Sequence, residues 1–266
     1  MDAGTGHGDH ERAGNGRAEV AGNRSGEFLL LATRADDAVA DAEYEAVRRF
    51  MGVPAERLRR VRLESAPMPR LDLGSIAGIV VGGSPFTSSD PIESKSDVQL
   101  RVENEMAELL AEVVAIDLPF FGACYGVGTL GGFLGGVVDT TYGEPVGAVP
   151  VALTPEGLAD PVLAGLPPVF DAYVGHKEAL RAIPPGAVLL GTTATAPVQM
   201  MRVGRNVYAT QFHHELDTEG IVQRLLAYRH EGYYDPAEVD DVVARVRGAD
   251  VREAWKVLRN FALVYG

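Results

Sequence analysis

Pro119-Phe120-Phe121-Gly122-Ala123-Cys124-Tyr125-Gly126-Val127-Gly128-Thr129-Leu130-Gly131 reads as a short buried strand that enters a glycine-rich turn and then a helix. It lies within 118–138, a run without charged residues that is long enough to span a bilayer. Pro119 and the repeated glycines would make a poor isolated helix, so a strand-turn-helix at the centre of a domain is the expected structure. Outward from it, 28–32 and 76–81 are apolar runs predicted as buried strands, 60–63 is a further strand, and 41–51 has helical character. Over 98–116, Val98, Val102, Met106, Leu109, Leu110 and Val113 recur at helical spacing. Strands alternating with helices predict an α/β domain with a mostly parallel central sheet. In such sheets function collects at the carboxyl ends of the strands. Cys124 and the turn Gly82-Gly83-Ser84-Pro85 both fall at such ends.

The rest of the chain frames this unit. Proline-rich short strands and turns are expected over 137–208, one more strand over 205–213, and helices over 218–230 and 239–264, the last broken near Gly248. No repeat or linker divides 27–266, which is taken as one domain. The segment 1–26, rich in Gly, Ala, Asp and Asn, is expected to be a disordered tail without a signal-peptide core. His7 and His10 have no neighbouring ligands that would complete a metal site. Hydrophobic residues at 46% and charged residues at 23% suit a globular chain of 266 residues. The net charge of −13 argues against nucleic acid or an anionic membrane as partner. A single cysteine excludes an intramolecular disulfide and a Cys-rich zinc site. The expected compartment is the cytoplasm, and neither a metal nor a cofactor is expected.

Three pieces carry chemistry. A cysteine at a strand-to-helix turn exposes its sulfur near helix N-terminal amides, which favour a thiolate, and Gly122 and Gly126 permit the crowded backbone of such an elbow. An inert buried thiol is the competing interpretation. In Gln211-Phe212-His213-His214-Glu215, strand alternation puts His213 and Glu215 on one face and His214 on the other. A carboxylate beside an imidazole can fix its tautomer and stabilise its charged form, although a structural histidine has the same local sequence. Gly83 and Ser84 follow a buried strand where backbone amides can face a cleft and stabilise an oxyanion; an ordinary turn is equally compatible.

Taken together, these segments resemble the class I (triad) glutamine amidotransferases, nearest to stand-alone members similar to the glutaminase half of GMP synthase, and the resemblance implies a flavodoxin-like three-layer sandwich with a mostly parallel central sheet. Gly122-Ala123-Cys124-Tyr125-Gly126-Val127-Gly128 matches the family's Gly-x-Cys-x-Gly-x-Gln except at its last position, and Gln211-Phe212-His213-His214-Glu215 differs from Gln-Phe-His-Pro-Glu only at His214. Gly83-Ser84-Pro85, with Thr87 and Asp90, is similar to the family's oxyanion segment. The resemblance implies Cys124 as nucleophile, His213 as base and Glu215 as its orienter, with the Tyr125 and Ser84 (or Gly83) amides as oxyanion hole. It further implies that His176, in Val174-Gly175-His176-Lys177-Glu178, lines the pocket. The implied activity is cleavage of a small-molecule γ-glutamyl amide through a thioester, with ammonia passing to a separate synthetase subunit. A γ-glutamyl hydrolase acting on a conjugate and a non-catalytic binding relative are the alternatives.

Two departures from the pattern set expectations. His214 in place of proline is expected to be dispensable. Gly128 in place of glutamine is expected to leave room in the pocket and weaken binding of free glutamine. The same glycine completes a Gly-x-Gly-x-x-Gly over 126–131, the dinucleotide fingerprint, which brings in an oxidoreductase alternative that requires a surrounding βαβ unit.

Overall fold

In the computed structural model the described residues are Met1 and 26–266. The tail expected over 1–26, with His7 and His10, lies almost wholly outside them. The strands are β1 (Glu27–Ala32), β2 (Leu58–Arg62), β3 (Ile76–Val81), β4 (Phe120–Ala123), β5 (Val138–Asp139) and β6 (Glu144–Leu153). They continue with β7 (Val169–His176), β8 (Ala179–Leu180), β9 (Ala187–Thr192), β10 (Met200–Val203) and β11 (Val207–Thr210). The helices are α1 (Asp37–Met51), α2 (Asp97–Ile116), α3 (Tyr125–Phe133), α4 (Pro155–Leu158), α5 (Thr218–Ala227), α6 (Val239–Arg247) and α7 (Trp255–Tyr265).

Nine strands form one sheet in the order β2-β1-β3-β4-β11-β10-β9-β6-β7. From β2 to β11 every pairing is parallel, the flavodoxin-like order, and the remaining pairings are antiparallel. Alternation along β1 builds the layers. Phe28 and Leu30 enter a core with Val47 and Met51 of α1 and Val257, Leu258 and Phe261 of α7. Leu29 and Leu31 enter the opposite core with Val102, Met106 and Leu110 of α2 and Val127 and Leu130 of α3. Every residue of β3 is buried, as a parallel strand covered on both faces must be.

Local chemistry sets the element ends. α1 begins four positions before the expected 41 because the Asp36 side chain accepts the Val39 amide, an N-cap hydrogen bond. Ser96 caps α2 in the same way through the Gln99 amide. The break expected near Gly248 separates α6 from α7. No described helix is long and apolar enough to cross a membrane.

The fingerprint glycines lie inside α3 rather than in a loop before it. The next strand, β5, pairs antiparallel with β8 in a separate two-stranded sheet. The βαβ unit that a dinucleotide site needs is therefore missing around them. Close packing accounts for Gly122 ahead of them: a Cβ there would stand 2.7 Å from the Gly126 Cα, so β4 and α3 approach too closely for a side chain at that position.

Candidate active site

Four neighbouring parallel strands deliver their next residues to one edge of the sheet: Arg34 beyond β1, Gly83 and Ser84 beyond β3, Cys124 after β4, and Gln211 to Glu215 after β11. Cys124 has φ 50° and ψ −85°, a conformation that side-chain-bearing residues rarely adopt and that marks stored strain. Its amide donates to the Thr210 carbonyl at 2.7 Å, which ties the elbow to β11. Tyr125 opens α3, so its amide has no intrahelical acceptor. Cys124 is half-buried and lies where two lobes of a cleft meet.

The strand expected to reach His213 stops at Thr210. The Thr210 hydroxyl donates to the Phe212 carbonyl at 2.9 Å, the chain turns, and the His213 amide donates to Tyr173 of β7 at 2.8 Å. His213 thus sits in an isolated bridge rather than in continuous β-structure. The pairing inferred from alternation nevertheless forms: His213 Nδ1 lies 2.8 Å from Glu215 Oε1. Burial would lower the imidazole pKa, but the charges of Glu215 and Cys124 outweigh it, and His213 is pushed up to about 9. Burial pushes Glu215 up; His213 and Arg224 overcome that and hold it well below the usual carboxylate range. A Cβ at Gly83 would stand 3.0 Å from His213 Cε1 and 2.8 Å from Arg34 Nη2, so a bare backbone at Gly83 lets the imidazole approach.

Behind Glu215 lies a charge network missing from the sequence-based expectations. Arg224 Nη1 donates to Glu215 at 2.8 Å, Arg224 Nη2 donates to Glu43 at 3.3 Å, and Arg34 Nε donates to Glu43 at 3.2 Å. The pattern contained a signal for two of these residues. Glu43 shares the buried face of α1 with Val39, Ala40 and Val47, and Arg224 lies between the buried Ile221 and Leu225 of α5. A charge on an apolar stripe asks for a buried partner.

His214 does point away from His213, but it is not idle. It is fully buried with its ring edge-on to Phe121 at 4.5 Å, and among the described residues neither ring nitrogen has a hydrogen-bond partner, Glu215 Oε2 standing 3.8 Å from Nδ1. Burial drives its pKa down to about 4, with Glu215 opposing. The unfolded chain takes up a proton at His214 below about 6.5, whereas the native chain does not until about 4. Stability is therefore lost as pH falls through that window. His213 has the opposite sign: its contribution is complete below about 6.5 and disappears as pH rises through about 9. His214→Leu keeps the volume and removes the titration. Denaturation midpoints at pH 7.5 and pH 5 are expected to lie closer together in the variant than in the wild type, with turnover retained; an unchanged acid limb would contradict this. His214→Ala opens a cavity and is expected to cost stability, a separate matter from its expected dispensability for turnover.

The space beside Gly128 is occupied. A Cβ there would lie 2.8 Å from Ser88 Oγ and 2.9 Å from Glu178 Oε1. Glu178 is held in that position by the Ser88 amide at 2.9 Å, the Ser88 hydroxyl at 2.7 Å and the Ser89 amide at 2.7 Å. The expected vacancy is thus filled by a carboxylate from another part of the chain. His176 lines the same lobe, but its Nε2 lies 2.7 Å from Glu144 Oε2 and its Nδ1 lies 2.9 Å from the Glu178 carbonyl. With both nitrogens engaged it braces the wall, and Glu178 rather than His176 offers a charge to the cleft.

This arrangement has counterparts among known proteins. Over 140 residues the chain is 31% identical to the GMP synthase [glutamine-hydrolyzing] of Lactococcus lactis, covering 52% of this chain and 24% of that protein. Over 184 residues it is 27% identical to the Salmonella typhimurium enzyme of the same name, covering 64% of this chain and 33% of that protein. The chain thus spans a quarter to a third of these relatives. The crystal structure of a glutamine amidotransferase from Thermotoga maritima shares the fold with a TM-score of 0.68 at 18% identity, covering 89% of this chain and 96% of that one. A glutamine amido transferase from Methylobacillus flagellatus gives 0.66 at 17% identity, covering 92% and 96% respectively. The family model for glutamine amidotransferase class-I matches residues 52–227, a span that takes in the elbow at Cys124 and the His213–Glu215 pair, and the chain belongs to that family.

Proposed function

We propose that this chain is a cysteine amidase that cleaves a γ-glutamyl amide through a thioester. The observation that carries the proposal is the meeting of Cys124, on a strained elbow, with the His213–Glu215 pair at adjacent carboxyl ends of the parallel strands. Cys124 Sγ attacks the amide carbonyl, and the resulting oxyanion faces the Tyr125 and Ser84 (or Gly83) amides. His213 gives its proton to the leaving nitrogen as the C–N bond breaks. Water then attacks the thioester, its proton returns to His213, and Sγ leaves as thiolate. Glu215 keeps the imidazole oriented and charged, and Arg224 secures Glu215. Glu178 is suited to pair with the substrate's α-ammonium group, the end that the family glutamine at position 128 would otherwise help to hold.

Glutamine is the minimal substrate, with ammonia as the leaving group. A separate synthetase subunit receiving that ammonia fits the relatives named for GMP synthesis. Hydrolysis of a γ-glutamyl conjugate is the second version, favoured by the largely apolar lobe beside His213, on the leaving-group side of Cys124. A kinetic ranking tests the register: His214→Leu is expected to retain far more kcat/KM than His213→Ala. The reverse order would sink the assignment of His213.

A further inference from the structure

The lobe of the cleft on the His213 side is built for something larger than ammonia. It is open to solvent, and its empty space together with that open mouth comes to ≈ 470 Å³. Val146, Val174, Ile221, Leu225 and the three tyrosines Tyr228, Tyr233 and Tyr234 contribute to its wall. The other lobe holds Tyr125, Gln211 and Glu178, and Cys124 belongs to both. His213 lines only the first of them. The leaving nitrogen must take its proton from His213, so the leaving group extends into the His213 lobe while the γ-glutamyl group occupies the Glu178 lobe.

Two polar groups give that lobe its chemistry. The Tyr228 hydroxyl is buried beside the Arg34 guanidinium and has no other hydrogen-bond partner among the described residues. Arg34 lines the same lobe, is 3% exposed, and has its guanidinium carbon 5.3 Å from the Tyr228 ring centre. Its Nε is engaged by Glu43, which leaves the terminal nitrogens as donors beside Gly83. Arg224 lines the lobe as well, but its terminal nitrogens are engaged by Glu215 and Glu43; Arg34 with its neighbouring hydroxyl, set among apolar side chains, suits a carboxylate attached to an apolar body. Ammonia would gain nothing from such a wall. Arg34 and the three tyrosines all lie outside residues 52–227, the span shared with the family. Cys124, His213 and Glu215 thus lie inside the matched span, and these four wall residues flank it.

We propose that the leaving group is an apolar or aromatic α-amino acid, so that the substrate is a γ-glutamyl amino acid joined through its isopeptide bond. This rests on the amidase chemistry proposed above. The Cys124 Sγ–carbon bond forms, the isopeptide C–N bond breaks, and the departing amine takes the His213 proton. Its carboxylate pairs with Arg34 and Tyr228, and its side chain lies against Val174, Ile221 and Leu225. Hydrolysis of the thioester by water releases glutamate.

The test compares γ-glutamylphenylalanine, γ-glutamylphenethylamide (the same amide without the carboxylate) and glutamine on the full-length protein. Expected is a kcat/KM for γ-glutamylphenylalanine at least about tenfold above either of the others, since one hydrogen-bonded charge is worth roughly 10- to 150-fold. Tyr228→Phe, which removes only the hydroxyl, is expected to lower the ratio of γ-glutamylphenylalanine to phenethylamide turnover several-fold. Equal or faster turnover of glutamine overturns the inference, and equal turnover of the phenethylamide removes the carboxylate from it. Failure on all three with Cys124 still alkylated by a glutamine-like electrophile overturns this inference alone. Failure with Cys124 unlabelled overturns the amidase chemistry as well.

Discussion

Cys124→Ala is expected to abolish turnover of every γ-glutamyl amide, and His213→Ala to lower kcat/KM on the order of 10,000-fold or more, because members of a nucleophile-base pair fail as a unit. The physical reason is visible around the pair. His213 is buried, yet Glu215 and Cys124 push it up to about 9, so near neutrality it is charged and can protonate a leaving amine. The corresponding pH profile loses its acylation limb above about 9, as the imidazolium deprotonates. Ordinary activity in Cys124→Ala, measured with the purified variant on the preferred substrate, would contradict the nucleophile assignment.

Gly128→Gln is expected to lower kcat/KM at least about tenfold, although it makes the chain look more like its family. The new side chain would start 2.9 Å from Glu178 Oε1 and 2.8 Å from Ser88 Oγ. Accommodating it requires Glu178 to leave a position secured by three hydrogen bonds. Bonds to a charged group are worth about 1.5–3 kcal/mol each. Combining Gly128→Gln with Glu178→Ala relieves the crowding, and the double variant is expected to regain part of the loss on glutamine. An improvement from Gly128→Gln alone, measured as kcat/KM on glutamine, would show that Glu178 does not serve the substrate pocket.

This reversal marks where sequence ceases to be informative. The elbow at Cys124 and the pairing of His213 with Glu215 are written in contiguous residues, because a glycine-flanked turn and a His-x-Glu spacing are local geometry. The parallel character of the sheet, though not its strand order, followed from the alternation of short apolar runs with helices. Alternation gave the right pairing at His213 by an incomplete route, since β11 ends at Thr210 and a turn finishes the placement. The segment of Glu178 was legible as a pocket wall, but its position beside Gly128 was not, because its partners Ser88 and Ser89 come from the loop after β3, far away in the chain. Glu43 and Arg224 are likewise distant in sequence and meet only when α1 and α5 pack together. His214 looked like a neutral replacement for proline, and only the packing against Phe121 reveals its burial without a polar partner.

The chemistry assigned to Cys124 can be tested most directly by intact-protein and peptide mass spectrometry after exposure to a glutamine-like electrophile that alkylates an activated thiol. One adduct per chain is expected, located on Cys124, formed much more slowly in His213→Ala and absent in Cys124→Ala. A chain that stays unmodified, or that is labelled at the same rate with and without His213, would contradict the proposal that His213 serves Cys124.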